Sequence, residues 1–136
     1  MLKCCLKEIA WGESMENFIN VIITRDKSLS EIIPLFVGHE KCAPNHIFGP
    51  YTREHHLIHF CISGKGVLED KYGKHEISAG EMFIIRPGEI TVYSADKQDP
   101  WEYLWIAFEG SRAHLFSTDR SVYKTPDEIT EPLCRY

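Results

Sequence analysis

Turn signals recur at short intervals from residue 63 onward, and their spacing constrains the fold more than any other feature of the sequence. The signals are S-G-K-G (63–66), Y-G-K (72–74), S-A-G-E (78–81), R-P-G-E (86–89) and A-D-K-Q-D-P (95–100). The runs around them are rich in β-branched and aromatic residues and cover 56–62, 67–71, 75–77, 81–86, 90–94 and 101–109. Short strands with a turn roughly every ten residues are typical of an antiparallel sandwich or barrel. The sequence therefore predicts a mainly β protein.

The residues before this region are less regular. Residues 31–40 predict an earlier strand, in which Pro34 belongs at an edge or a bulge because it has no amide hydrogen to donate. Residues 15–23 (M-E-N-F-I-N-V-I-I) fit one helix or one strand, and their pattern does not decide between the two.

The residues after 110 predict short helices. Ser111 precedes R-A-H-L-F and is placed to cap one of them. T-P-D-E (125–128) combines an N-cap threonine, a proline at the first helical position and a glutamate three residues after the cap, which is a strong helix start. Pro132 interrupts this helix and the sequence ends at Tyr136, so we expect the chain to be a fragment of a longer protein.

Length and composition exclude several classes of protein. A chain of 136 residues fits one domain with a hydrophobic core. No apolar run approaches the roughly 18 residues of a membrane-spanning helix. The net charge of −5, with scattered lysines and arginines, makes the chain a poor candidate for binding the phosphate backbone of a nucleic acid. The five cysteines form no C-x-x-C pattern, which favours a reducing cytoplasm over a disulfide scaffold.

Three histidines lie within R-E-H-H-L-I-H-F (53–60), a density that raises the question of a metal site. We interpret 56–62 as a strand, so the neighbours His55 and His56 point to opposite faces. His55 and His59 share a face but lie roughly 13 Å apart at about 3.3 Å per residue, too far for one zinc ion with ligands at about 2 Å. These histidines are then either satisfied by neighbouring polar groups or in contact with a ligand.

The strand at 101–109 has two different faces. One carries Trp101, Tyr103, Trp105 and Ala107, and the other carries Glu102, Leu104, Ile106 and Phe108. The second face is a packing surface apart from its first residue. The first face offers broad rings with polar tips, which suit either the core or a ligand such as a sugar.

The P-G-E-I turn (87–90) has a structural explanation. Pro87 presets the backbone for a tight turn, and Gly88 permits a positive φ. Glu89 is then expected at the exposed rim of the barrel.

Four segments, taken in order, resemble one known family. They are G-H-E-K-C-A-P-N-H-x-F-G-P (38–50), L-I-H-F-C-I-S-G-K-G (57–66), A-G-E-M-F-I-I-R-P-G-E-I-T-V-Y (79–93) and D-P-W-E-Y-L-W-I-A-F-E-G (99–110). The sequence thus resembles the N-terminal domain of AraC-type transcription regulators over about residues 34–110. The resemblance implies a cupin-like antiparallel β-barrel, or double-stranded β-helix, that binds a small effector, often a sugar. It also implies a dimerisation helix after the barrel and a C-terminal pair of helix-turn-helix motifs, for which this sequence has no matching segment.

The resemblance also implies which residues line the effector pocket. In the family these are an arginine on the early strands, a tyrosine just after the P-G-E-I turn, and two residues on a strand resembling W-x-Y-x-W. The matching positions are Arg53, Tyr93, Tyr103 and Trp105, with Glu40 and His59 as further candidates. The residues alone leave two interpretations of Arg53 open, a pocket residue or a solvated surface charge.

Metal-binding cupins have motifs that this sequence matches only in part. Their first motif resembles G-x5-H-x-H-x(3,4)-E, which Gly49 and His55 fit. Leu57 stands where the second histidine belongs, and residues 61–62 (C-I) stand where the glutamate does. After the P-G turn, residues 89–92 offer no histidine. Three of the four positions thus lack the histidine or glutamate of the motif and are poorly suited to hard or borderline metals, so we expect a barrel without a metal or another cofactor.

The sequence supports two functional hypotheses. The first is the effector-binding and dimerisation domain of a bacterial transcription regulator, cytoplasmic and without catalysis. It divides into an N-terminal arm (1–30), a barrel (31–110) and the start of a helical dimerisation or linker region (111–136). Its partners are a small-molecule effector such as a sugar, a second copy in a homodimer, and DNA only through a separate C-terminal domain, with no membrane. The second is a small metal-independent cupin enzyme or isomerase acting on a carbohydrate, with a histidine and Glu40 or Glu89 as acid and base.

Overall fold

The computed structural model describes residues 18–22 and 31–133, and strands dominate this part of the chain. The strands are β1 Phe18–Ile22, β2 Ile33–Lys41, β3 Ile47–Thr52, β4 His56–Ser63, β5 Lys65–Asp70, β6 Gly73–Ser78, β7 Glu81–Ile85, β8 Ile90–Ala95, β9 Glu102–Glu109 and β10 Val122–Lys124. A 3-10 helix, Ala113–Phe116, precedes β10, and the α-helix α1, Asp127–Leu133, follows it.

The strands form two antiparallel sheets. One has the order β1-β2-β9-β4-β7-β10 and the other the order β3-β8-β5-β6. Successive strands β7, β8 and β9 alternate between the two sheets, so the chain crosses repeatedly from one sheet to the other. The prediction of a mainly antiparallel β fold is confirmed. The strands lie in two facing sheets rather than in one continuously hydrogen-bonded barrel.

The main core lies between the sheets because each strand directs alternate side chains inward. On β9 the inward residues are buried, as predicted, and Trp101 just before the strand is buried with them. Trp101 stacks on Phe83 of β7 with ring centroids 5.6 Å apart. Leu68 of β5 and Ile77 of β6 reach the same cluster from the other sheet. Because apolar side chains from both sheets are buried against one another, the two sheets are held face to face.

A second apolar cluster covers the outer face of the six-stranded sheet. It joins Phe108 of β9 to Ile58 of β4, Ile84 of β7 and Ala113 of the 3-10 helix. Phe108 alternates with the inward residues of β9, so the two faces predicted for this strand are confirmed. The 3-10 helix thus removes an apolar outer surface from water.

The structure decides the points that the first 40 residues left open. The 15–23 segment contains a strand, β1, rather than a helix. The register between β2 and β9 shifts between Pro34 and Phe36, so of the two positions predicted for this proline, an edge or a bulge, the structure has the bulge. Two strands were not expected from the sequence: β3, which contains Gly49-Pro50, and β10, which has only three residues.

Short helices follow the barrel strands, as predicted, and α1 begins at Asp127 within the predicted start (125–128), but neither predicted side-chain cap is present. The residue before the 3-10 helix is Arg112, and no side-chain hydrogen bond caps it, so Ser111 is not the cap. The Thr125 hydroxyl is buried without a hydrogen-bond partner among the described residues, so it does not cap α1 either. Pro132 lies inside α1 and does not end the helix at the preceding residue.

The turn after β7 has the structural role predicted for it, since Gly88 has a φ of +77°. The expectation that Glu89 lies at an exposed rim is wrong, because its side chain is only 11% exposed. Arg86 Nη1 lies 3.3 Å from one of its carboxylate oxygens, and Lys71 Nζ lies 2.6 Å from the other. Two cations therefore compensate for the partial withdrawal of this carboxylate from water.

Candidate functional site

A cavity of about 340 Å³ opens between the two sheets. It is lined by Phe36, Glu40, His46, Phe48, Arg53, Leu57, His59, Tyr93, Tyr103 and Trp105. This volume is at the lower end of the range of small-molecule sites, about 300–1,000 Å³. All six residues that the sequence suggested for a ligand site line it: Glu40, Arg53, His59, Tyr93, Tyr103 and Trp105.

Strand register explains why distant residues meet in this cavity. Glu40 of β2 pairs with Tyr103 of β9, and Trp105 of β9 pairs with His59 of β4. Directly opposite residues of adjacent strands lie on the same face of a sheet. These four side chains are therefore neighbours on the inner face of the six-stranded sheet, and Tyr93 of β8 faces them from the other sheet.

Arg53, between β3 and β4, is a buried cation. Only 8% of Arg53 is exposed to solvent, so the interpretation of this residue as a solvated surface charge is wrong. Arg53 Nη2 donates to Tyr93 Oη at 3.1 Å, while Nη1 is buried without a hydrogen-bond partner among the described residues. Burial raises the pKa of Tyr93 to about 12, so its hydroxyl stays protonated.

Glu40 brings a carboxylate to another part of the cavity wall. The hydroxyl of Tyr103 donates to Glu40 Oε2 at 3.2 Å, and His46 Nε2 lies 3.6 Å from Oε1. Burial raises the pKa of Tyr103 far above its usual value, so this phenol remains a hydrogen-bond donor. The cavity therefore offers a carboxylate acceptor near Tyr103 and a guanidinium donor near Tyr93.

His59 is buried at the centre of the aromatic cluster that forms the cavity wall. It stacks on Phe83 with ring centroids 4.4 Å apart and meets the edge of Tyr103 at 4.8 Å. Burial, with a smaller effect from the charge of Arg53, holds the pKa of His59 well below its usual value. The ring is thus neutral at physiological pH, and its Nδ1 has no hydrogen-bond partner among the described residues.

The low pKa of His59 makes stability depend on pH. Below the ordinary histidine pKa of about 6.5, the unfolded chain binds a proton at His59 that the folded chain does not. The free energy of unfolding should therefore fall as the pH is lowered from 7 to 5. Between pH 6 and 5, its slope should exceed that of His59→Gln by up to about 1.4 kcal/mol per pH unit, measured by urea unfolding. Equal slopes in the two proteins would contradict this account.

The other two histidines of the cluster point apart, as predicted. His55 meets Phe36 edge to face, with ring centroids 5.2 Å apart. His56 lies on the outer side, where its Nε2 is 2.8 Å from Ser117 Oγ and its ring stacks on Phe108. Within residues 31–133, no group of three or more histidine, cysteine or acidic side chains is arranged to hold a metal ion.

The cavity suits binding of a polyhydroxylated molecule. Aromatic rings pack against the C–H faces of such a ligand, while fixed donors and acceptors meet its hydroxyls. Sequence reasoning missed four lining residues: Phe36, His46, Phe48 and Leu57. Two of them, His46 and Phe48, lie in the segment 38–50 that resembles the family. The strand β3, which begins in this segment, was not recognised from the sequence, so its inward-facing side chains could not be predicted.

The two facing sheets and the cavity between them define a cupin-like domain. The fold is similar to that of YhaK from Escherichia coli, with a TM-score of 0.62 and 17% identity over 79% of this chain and 49% of that chain. It is also similar to a cupin superfamily protein from Desulfitobacterium hafniense, with a TM-score of 0.50 and 9% identity over 79% and 96% of the two chains. The predicted fold class is therefore confirmed.

Within that fold class, the chain belongs to the AraC-like ligand binding domain family, whose model matches residues 33–134. The Msm operon regulatory protein of Streptococcus mutans is 34% identical over 108 residues, covering 79% of this chain and 39% of that protein. The raffinose operon transcriptional regulatory protein RafR of Pediococcus pentosaceus is 37% identical over 76 residues, covering 54% and 27%. The chain thus spans less than half the length of these regulators. Among the described helices, none is long and apolar enough to cross a membrane.

Proposed function

We propose that this chain is the effector-binding domain of a cytoplasmic bacterial transcription regulator, and that a sugar binds in the cavity between its sheets. The observation that carries the proposal is the cavity wall itself, where Trp105 and Tyr103 stand beside the carboxylate of Glu40, with Arg53 and Tyr93 on the facing side. This mixture of aromatic faces and fixed polar groups matches the chemistry of a sugar. Membership of the AraC-like ligand binding domain family and the similarity to a raffinose operon regulator support it.

Two of the ionisable groups considered for catalysis, Glu89 and His59, are poorly placed for it. Glu89, one candidate acid or base, does not line the cavity and is held by Lys71 and Arg86. His59 is buried and paired face to face with Phe83. We therefore favour a regulatory domain over a carbohydrate-modifying enzyme.

The regulatory mechanism is linkage. An effector can shift the conformational equilibrium of a regulator only by binding one arrangement of the protein better than another. We propose that sugar binding controls DNA binding by a C-terminal helix-turn-helix domain in a homodimer, with residues 1–30 as an arm and residues 111–136 leading into the dimerisation region.

Replacing Tyr103 by phenylalanine tests the cavity as the sugar site. The change removes one buried hydroxyl and retains the ring, so binding should weaken by about 1–2 kcal/mol, roughly 5- to 30-fold, with little loss of stability. Isothermal titration calorimetry with raffinose, sucrose, galactose, glucose and fructose would measure it.

Tyr123→Phe is the matched control for this experiment. Tyr123 also has a hydrogen-bonded hydroxyl, with Thr118 as partner, but it packs against the outer cluster and not the cavity. Its removal should leave the dissociation constants unchanged. If a sugar bound both variants as tightly as the unaltered chain, the effector site would not include the Tyr103 hydroxyl.

A further inference from the structure

One exposed tyrosine, Tyr51, lies beside residues that line the cavity. Tyr51 of β3 is 55% exposed. Its ring contacts Phe48, which lines the cavity, edge to face at 5.9 Å between centroids.

A bulge in β3 places both rings on the cavity side. Residues three apart in a regular strand point to opposite faces. In β3, however, Phe48 pairs with Tyr93 of β8, while Tyr51 pairs with Thr91, so three steps on β3 correspond to two on β8. Tyr93 and Thr91 are both buried inward residues of β8. Because opposite residues share a face, the extra residue turns Tyr51 back towards the cavity side.

The backbone of the bulge is pressed against β8. A Cβ at Gly49 would lie 2.4 Å from the carbonyl oxygen of Thr91, and φ at this glycine is +107°, so another side chain does not fit there. The separation between Phe48 and Tyr51 is thus set by main-chain contact and not by loop flexibility.

One wall of the cavity is therefore a row of aromatic rings that runs from the interior to the solvent. Tyr93 is 4% exposed, Phe48 39% and Tyr51 55%. Phe48 stacks on Tyr93 with centroids 5.3 Å apart. The guanidinium of Arg53 lies 4.9 Å from the centroid of Phe48 and 5.2 Å from that of Tyr51, so a buried cation holds the two outer rings together.

We infer that the effector is an oligosaccharide of at least two rings, with one ring in the cavity against Trp105 and the next against Tyr51 at its mouth. This inference rests on the proposed sugar-binding function. A monosaccharide held in a cavity of about 340 Å³ would leave the outer end of the aromatic row uncontacted. A second ring continues along the row and stacks its C–H face on Tyr51. Tyr51 is then a specificity residue that distinguishes oligosaccharides from their component sugars.

Calorimetry with Tyr51→Ala tests the inference, with raffinose, sucrose, galactose, glucose and fructose as probes. The unaltered chain should bind raffinose or sucrose more tightly than any of the three monosaccharides. Tyr51→Ala should weaken the tightest oligosaccharide about 10-fold and change monosaccharide binding less than 2-fold. Tyr51→Phe retains the ring and should restore oligosaccharide binding.

Ile47→Ala is the matched control, because Ile47 lies on β3 beside Phe48 and points to the opposite, exposed face. It should leave all five dissociation constants unchanged. If monosaccharides bound as tightly as raffinose and sucrose, and Tyr51→Ala left the dissociation constants unchanged, the inference of a second sugar ring would be wrong. The cavity would then still be a site for one sugar ring. Absence of binding by all five sugars would overturn the proposed function and this inference together.

Discussion

Replacing Arg86 by methionine is expected to lower the free energy of unfolding by about 3 kcal/mol. Arg86 is buried at the end of β7, where it donates to Ser121 Oγ at 3.2 Å and to the carbonyl oxygen of Arg120 at 2.6 Å. It also forms the ion pair with Glu89. Methionine fills much of the volume but donates no hydrogen bond, so the buried Ser121 hydroxyl and the Glu89 carboxylate each lose a donor, which is costly for withdrawn polar groups. Urea unfolding of the chain measures the loss.

Lys71→Met is the control for this variant. Lys71 also pairs with Glu89, at 2.6 Å, but its side chain is largely exposed, so its removal should lower the free energy of unfolding much less than the removal of Arg86. Comparable losses from the two substitutions would mean that Glu89 alone matters. In that case the hydrogen bonds from Arg86 to residues 120 and 121 contribute little.

The contacts of Arg86 and Glu89 show which features a local sequence pattern can predict and which it cannot. The turn at 87–88 follows from local chemistry, since proline and glycine restrict the backbone in known ways. The burial of Glu89 does not, because it depends on Arg86 reaching Ser121, 35 positions along the chain, and on a three-residue strand too short to give a pattern.

Strand faces were predictable where the two-residue period is unbroken. On β9 the alternation identified the inward side, and the register with β2 and β4 then brought Glu40 and His59 beside it. In β3 the bulge reverses the alternation, so no count of residues from Phe48 places Tyr51 on the cavity side.

The candidate site residues were nominated largely by resemblance to a family, and the geometry of their contacts came only with the structure. The burial of Arg53 illustrates the difference. Its charge is tolerated because three aromatic rings and the Tyr93 hydroxyl surround it, and these groups come from two strands, β3 and β8. A charged residue between two strands has no local signal that distinguishes such an environment from solvent.

Replacing Trp105 by alanine is expected to weaken sugar binding by roughly 30-fold or more. The indole projects into the cavity from β9, which lies between β2 and β4, and it meets His59 and Tyr103 at centroid distances of 6.0 and 5.7 Å. Alanine removes the broadest ring available to stack on a sugar. Calorimetry with the tightest-binding of the five sugars gives the change in dissociation constant.

Loss of the indole also destabilises the core, so a second variant must separate binding from folding. Phe108→Leu serves this purpose because Phe108 lies on the same strand but packs in the outer cluster. Removing part of its ring should lower the free energy of unfolding by about 1 kcal/mol through lost packing while the dissociation constant stays unchanged. Trp105→Phe, which retains a smaller ring in the cavity, should bind with intermediate affinity. If Trp105→Ala remained folded in the binding experiment and bound sugar normally, the indole would be a core residue and the effector would contact another part of the cavity.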